Sequence, residues 1–382
     1  MENNIKKILF VLYGDLSCNS AYHASSLANE MVKLGNECAI AIPANKESVW
    51  FQPEHLYEVY LFSDYEELMR WNPDVIHYWT PREVNRVFHE KIKSIAAKVI
   101  IHLEDNEINI TMNSLGLSHE EVNDSSLEQL KNMPSALSHP VYYKEFIKKA
   151  NGYTLLIDDL KEFIDQDKPS CVFWPAADNN IFYQNEHIDD EEKRKLGIKS
   201  NELTVVYNGN AHNSNYLEVR SLYVAIALLN REGIPVKIIR TGIDYVNFWG
   251  NDKSWYSEYE ISLGFIERNR IPKIMSLSDI FIQPGRDDTF NKYRFPSKLP
   301  EFFSIGKPVI LPKTNIGKYL VHKEEAYVLD VADAVSIVEA VKEIVNDKDF
   351  YRTLATGARK FYEKNLSWKK NAEKVLEFYN TL

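Results

Sequence analysis

Residues 8–13, ILFVLY, form an unbroken apolar run between Lys7 and Gly14. Such a run, with no polar alternation, predicts a parallel strand buried on both faces. Residues 14–20 read as a turn. Residues 21–35 then set Ala24, Leu27, Met31 and Leu34 on one side of a helix that Gly35 stops. A second strand follows at 38–42. The chain therefore opens as a βαβ unit, without the G-x-G-x-x-G fingerprint of dinucleotide sites. Further strands are expected at 59–62, 74–78, 98–101 and 152–157, and helices at 142–150 and from 158. Residues 107–133 are polar and weakly patterned, which fits an insertion or short helices.

The second half repeats the alternation. Strands are expected at 204–207, 236–239, 279–284, 309–311 and 328–329. Helices are expected at 217–229, 271–277, 332–345, 349–363 and 368–382. Residues 186–197 are heavily charged and read as a solvated helix face. Another short helix should follow Pro296, with Ser297 as N-cap, Pro300 in the first turn and Gly306 at the end. Strands alternating with helices predict an α/β protein with parallel sheets. Pro175 lies in the crossover at 172–178. The expected domains are 1–172 and 173–365, followed by a final helical segment 366–382.

Composition narrows the class. The 382 residues are 45% hydrophobic and 26% charged, enough for large cores. A net charge of -10 argues against a nucleic-acid binder that works by phosphate neutralisation. Cys18, Cys38 and Cys171 are odd in number and far apart, so no disulfide framework or zinc spacing follows; a cytoplasmic location is expected. No apolar run approaches the ~18 residues of a membrane span.

The richest chemistry lies between Asp287 and Pro312. Lys298 and Glu301 are three apart and share a helix face. A lysine with Ser297 at a helix start suits phosphate, and a carboxylate one turn later can accept hydrogen bonds from two ribose hydroxyls. The order Arg294-x-Pro296-x-Lys298-x-x-Glu301-Phe302-x-x-x-Gly306-Lys307-Pro308-Val309 resembles the donor-site signature of family 4 glycosyltransferases, which have the GT-B fold. The resemblance implies two doubly wound Rossmann-like domains facing across a cleft, with the C-terminal helix crossing back to the first. Within that signature it departs at one point. The family's first glutamate, eight positions before Glu301, is Tyr293 here, within a variant reading F-N-x-x-R-F-P-x-K.

The same resemblance nominates the remaining site residues. Arg294 and Lys298 would serve the donor diphosphate, with Arg240 behind them. Gly209 and Asn210 lie at the strand end that approaches it. Phe265 and Ile266, in the segment LGFI, match a backbone that reads the base. On the acceptor side, His102 matches a histidine at a strand end near the reacting sugar. Glu104 and Asp105 follow it and could take a proton or orient a hydroxyl, or could simply cap the next helix. Gly14 and Arg82 are cleft candidates; a turn glycine and a helix start explain them equally well. His23 reads as packed inside its helix.

The implied activity is transfer of a sugar from a nucleotide-sugar donor to an acceptor hydroxyl, hexosyltransferase-like and retaining. The acceptor would be a glycan, a lipid-linked sugar or a protein. No cofactor is expected and no metal is required, since cations and amides can meet the leaving diphosphate and Asp287-Asp288 is not a D-x-D pair. The alternative is a silent GT-B subunit that binds nucleotide or glycan and regulates a partner, which the tyrosine at 293 favours. A nucleotide-sugar epimerase is a third reading. A partner subunit or homo-oligomer is compatible with each.

Overall fold

The computed structural model describes residues 6–123, 128–178, 181–182, 190–250 and 253–382. They form two compact units. The first comprises Met1–Pro175, Tyr293–Phe295 and Trp368–Leu382; the second comprises Ala176–Lys292 and Pro296–Ser367.

The first unit is built on seven strands: β1 Lys7–Leu12, β2 Glu37–Ile42, β3 Glu58–Leu61, β4 Val75–Trp79, β5 Lys98–Leu103, β6 Gly152–Leu155 and β7 Ser170–Val172. They lie in the order β3-β2-β1-β4-β5-β6-β7, and every pairing is parallel. Ile8 to Leu12 are fully buried, as an apolar run inside a doubly covered sheet requires. The strand order reverses between β1 and β4. In open α/β sheets ligands bind at such a switch point, beyond the carboxyl ends of the strands. The loops after β1, β4 and β5 therefore form the functional edge. The last helix, Trp368–Asn380, packs on helix Asn19–Lys33, where Trp368 meets Tyr22 edge-on at 6.3 Å.

The second unit holds β8 Leu203–Asn208, β9 Val236–Thr241, β10 Glu260–Gly264, β11 Phe281–Ile282, β12 Gly285–Arg286, β13 Val309–Pro312, β14 Tyr327–Leu329 and β15 Val331–Ala332. The parallel sheets β10-β9-β8 and β11-β13-β14 are joined by a bridge between Val205 and Ile280. Helix Tyr216–Arg231 covers one face with Val219, Leu222, Tyr223 and Ile226. Both units are thus Rossmann-like α/β domains.

Two local expectations change. The helix after Pro296 spans Leu299–Ile305, with Lys298 rather than Ser297 at the cap position and no side-chain cap bond. Leu299 N already donates to Pro296 O at 3.0 Å, so a turn precedes the helix and leaves Ser297 exposed. Gly306 ends it at φ 69°, as expected. Residues 158–163 form a 3₁₀ turn instead of an α-helix. The stretch 107–133 contains helices Glu107–Leu115 and Glu128–Lys131. Part of it, like residues 186–189 of the charged segment, lies outside the described residues.

Candidate functional site

In the second unit the ends of β8, β9 and β10 converge through glycine. Gly242 N donates to Gly264 O at 2.8 Å, and Gly209 N to Thr241 O at 3.3 Å. A Cβ on Gly242 would lie 2.6 Å from Gly209 O, so only glycine permits this approach. Gly209 has φ 151°, and a Cβ there would sit 2.9 Å from Lys298 Nζ. The Lys298 ammonium lies over the Tyr207 ring, 3.8 Å from its centroid. Asn208 links the strand end to the next candidate: Thr241 Oγ1 donates to Asn208 Oδ1 at 2.7 Å, and Asn208 Nδ2 donates to Glu301 Oε2 at 3.3 Å. Gly209, Lys298 and Glu301 are therefore brought together.

Glu301 is withdrawn from water, and this burial raises its carboxyl pKa to about 7 against the opposing charges of Arg268 and Lys298 and the Asn208 hydrogen bond. At neutral pH it sits near its titration midpoint, ready to gain hydrogen-bond donors. Asn210 is exposed, but its Oδ1 accepts from Ile243 N at 2.8 Å and so ties the β8 loop to the β9 loop. Phe265 is 79% exposed beside Gly264, an open apolar face at the end of β10; Ile266 is half-buried.

Arg240 departs from its expected role. It is buried, donates to the carbonyls of Gly209 and Thr241, and pairs with Asp244 Oδ1 at 2.7 Å. Its guanidinium supports the Gly209–Gly242 turn from below and is not presented to a phosphate. The reason is positional: Arg240 lies within β9, one residue before the strand's end.

In the first unit the expected acceptor-side residues also sort differently. His102 is fully buried. Its Nδ1 bonds Thr154 Oγ1 at 2.8 Å, and its ring lies 4.1 Å from that of Trp79 and 5.3 Å from Phe173. Burial lowers its pKa to about 3, so it is neutral and packed. The expected contact with a reacting sugar is not offered by this geometry.

Glu104 is buried as well. It accepts from Ser20 Oγ, from Trp79 Nε1 at 2.8 Å and bonds His23 Nδ1 at 3.2 Å. Burial alone would raise its pKa; the hydrogen bonds from His23 and Ser20 and the neighbouring imidazoles outweigh that and hold it at about 2. Asp105 differs. It is half-buried, and its pKa is raised to about 7, first by burial, then by Glu104 and Glu107, against Arg294 and Arg82. Of these acids it is the one poised to exchange a proton near neutrality.

Arg82 stacks on Tyr13, 3.7 Å from the ring centroid, and its Nε donates to Glu107 Oε2 at 3.1 Å. Ser138 Oγ donates to the same oxygen at 2.8 Å. Arg82 is thus fixed between the β1 and β5 ends, next to Thr80, which holds a left-handed φ of 76°. Gly14 has open space: a Cβ there would meet only Cys18 Sγ, at 3.8 Å. Tyr293, at the departed position, is packed rather than ligand-like. Its hydroxyl donates to Glu162 Oε2 at 2.7 Å, and its ring meets Phe163 edge-on at 4.9 Å. Arg294 follows it in the first unit, where its charge acts on Asp105.

Several participants were not singled out in the sequence. Ser20 and Trp79 hold Glu104, Asn208 and Thr241 hold Glu301, and Tyr207 carries Lys298. His23 belongs with them, through the same helix position that made it look merely packed. Trp79, Tyr207, Asn208 and Thr241 share one signal, a polar or aromatic residue at a strand's carboxyl end, whereas Ser20 and His23 lie on the helix after β1.

Residues 189–361 match the model of the family described as glycosyl transferases group 1. The structure aligns with HepE of Anabaena in complex with UDP and glucose, with a TM-score of 0.71 at 14% identity, over 99% of this chain and 100% of that one. It aligns with sucrose-phosphate synthase of Thermosynechococcus elongatus at 0.70 and 12%, covering 98% of each chain. It aligns with WaaG, a glycosyltransferase involved in lipopolysaccharide biosynthesis, at 0.67 and 11%, over 97% and 99%. At these identities the likeness is one of fold. No curated protein matches the sequence. The fold is that of GT-B proteins, and residues 189–361 carry the likeness to glycosyl transferases group 1.

Proposed function

We propose that the chain moves a sugar from a nucleotide-sugar donor, held at the β8–β10 edge of the second unit, to an acceptor hydroxyl bound at the β1–β5 edge of the first. The observation that carries this reading is the Gly209–Lys298–Glu301 grouping. Lys298 supplies a point charge for the diphosphate beside a backbone with no side chain in the way. Glu301, held by Asn208, accepts from the ribose hydroxyls. Phe265 offers a face for the base. HepE, which shares this fold, is described in complex with UDP-glucose, which makes UDP-glucose the first donor to try.

On the acceptor side Asp105 takes the proton of the attacking hydroxyl, and Arg82, braced by Tyr13 and Glu107, orients the acceptor. His102 and Glu104 position the loop that carries Asp105. The bond between the anomeric carbon and the diphosphate oxygen breaks, the acceptor oxygen bonds that carbon on the face the diphosphate leaves, and the diphosphate departs with its charge met by Lys298. Retention at the anomeric carbon and the lack of any cofactor requirement are parts of the proposal. Thermal shift against UDP, GDP, ADP, CMP and dTDP and their sugars tests the donor half: one base should stabilise the wild type and not Lys298→Ala. A shift of equal size in both proteins would remove Lys298 from the site.

A further inference from the structure

The first unit carries an apolar feature that the donor and acceptor residues leave unused. A 3₁₀ turn after β2, Lys46–Phe51, leaves Trp50 78% and Phe51 66% exposed, and Leu56 follows at 47%. This exposure is built in, because the segment is tied on every side. Ser48 Oγ accepts from Leu16 N at 2.9 Å, Gln52 Nε2 donates to Leu16 O, and Asn45 Nδ2 donates to Asp15 Oδ2 at 2.7 Å. Asn29 holds the far end, donating to Glu54 O at 2.9 Å and accepting from Leu56 N at 2.8 Å. Ser48, Gln52 and Asn29 are themselves buried. These bonds fix the backbone of the turn that carries the rings.

The brace is the loop after β1, which begins at Gly14 and belongs to the acceptor edge. The turn that carries the patch is therefore hydrogen-bonded to the loop of that edge. Its surroundings carry little net charge to attract an anionic surface: Lys46 adjoins Glu47, and Glu54 pairs with Lys33 at 2.8 Å. Exposed, rigid aromatic residues of this kind receive apolar groups. Resting on the acceptor placement above, we infer that the acceptor carries an alkyl or acyl tail, and that Trp50, Phe51 and Leu56 receive it while its hydroxyl reaches Asp105.

The test uses the full chain and two probes, n-dodecyl β-maltoside below its micellar concentration and maltose, measured by calorimetry. Wild type should bind the dodecyl probe about tenfold or more tighter than maltose. The double variant Trp50→Ser, Phe51→Ser should lose that difference while keeping its nucleotide thermal shift, which also shows that it folds. Leu56→Ser should lose part of it. Equal binding of both probes by wild type, or an alkyl preference kept by the double variant, overturns the inference. Binding to phosphatidylcholine vesicles without binding of the monomeric probe gives the patch to a bilayer and also overturns it. The nucleotide arm separates the two readings: no nucleotide shift in wild type defeats the transfer reading and the acceptor assignment with it. A shift without alkyl preference defeats the tail alone.

Discussion

The Lys298 ammonium lies over the face of Tyr207, 3.8 Å from the ring centroid, with Gly209 backbone beside it. The ring's negative face holds the cation in place at the end of β8. Lys298→Ala should weaken nucleotide binding by roughly tenfold to a hundredfold, as loss of about 1.5–3 kcal/mol in a charged hydrogen bond implies. Gly209→Ala should act through the same contact, because its Cβ would displace Nζ from 2.9 Å. Calorimetric titration of both variants checks this, and unchanged affinity in Gly209→Ala would break the link.

Glu301 makes donor binding pH-dependent. Its carboxyl titrates at about 7 in the free protein, and ribose hydroxyls donate to the ionised form. Affinity should rise as pH passes upward through about 7 and level off above it. Below, it should fall by nearly tenfold per unit. Glu301→Gln should flatten the profile. A raised carboxylate pKa also costs stability as pH rises from the unfolded value of 4.5 toward 7. Glu301→Gln should therefore stabilise the ligand-free protein at pH 8, by roughly 1–3 kcal/mol, measurable as a higher Tm.

Asp105 predicts a separate pH limb. As the acceptor's base it works ionised, so kcat should rise with pH through about 7 at saturating donor. Asp105→Asn should lower kcat by about 10²- to 10⁴-fold and leave nucleotide affinity unchanged. A variant that loses nucleotide binding instead would reassign the residue.

Glu104 is a stability group. Its native pKa of about 2 lies below the unfolded 4.5, so its contribution is present above pH 4.5 and is lost as pH falls from there toward 2. Glu104→Gln should lower stability at pH 7 by roughly 1–3 kcal/mol and flatten that acid limb. Chemical denaturation at pH 7 and pH 3 checks both.

How much of this was legible in the chain depends on what each residue answers to. The strand at Ile8–Leu12 and the helix stop at Gly306 are set by local pattern and backbone preference, and both appear where the sequence puts them. The Lys298–Glu301 spacing also carries over, because one helical turn fixes it. The failures are residues whose role is set across the fold. His102 ends a strand, but Trp79 and Phe173 close over it from elsewhere in the unit. Arg240 looked like a phosphate ligand because nothing in the sequence shows that the carbonyls of Gly209 and Thr241 converge on it. Ser297 lost its cap to a turn closed by the Pro296 carbonyl.

The most direct test of nucleotide-sugar transfer is release of nucleoside diphosphate from a panel of sugar nucleotides, with UDP-glucose first, in wild type, Lys298→Ala and Glu301→Ala. The account predicts release from donors of one base, slow with water and faster with a tailed acceptor, and reduced at least about tenfold in both variants. Release that is undiminished in both variants, or no binding and no release with any donor, would contradict it.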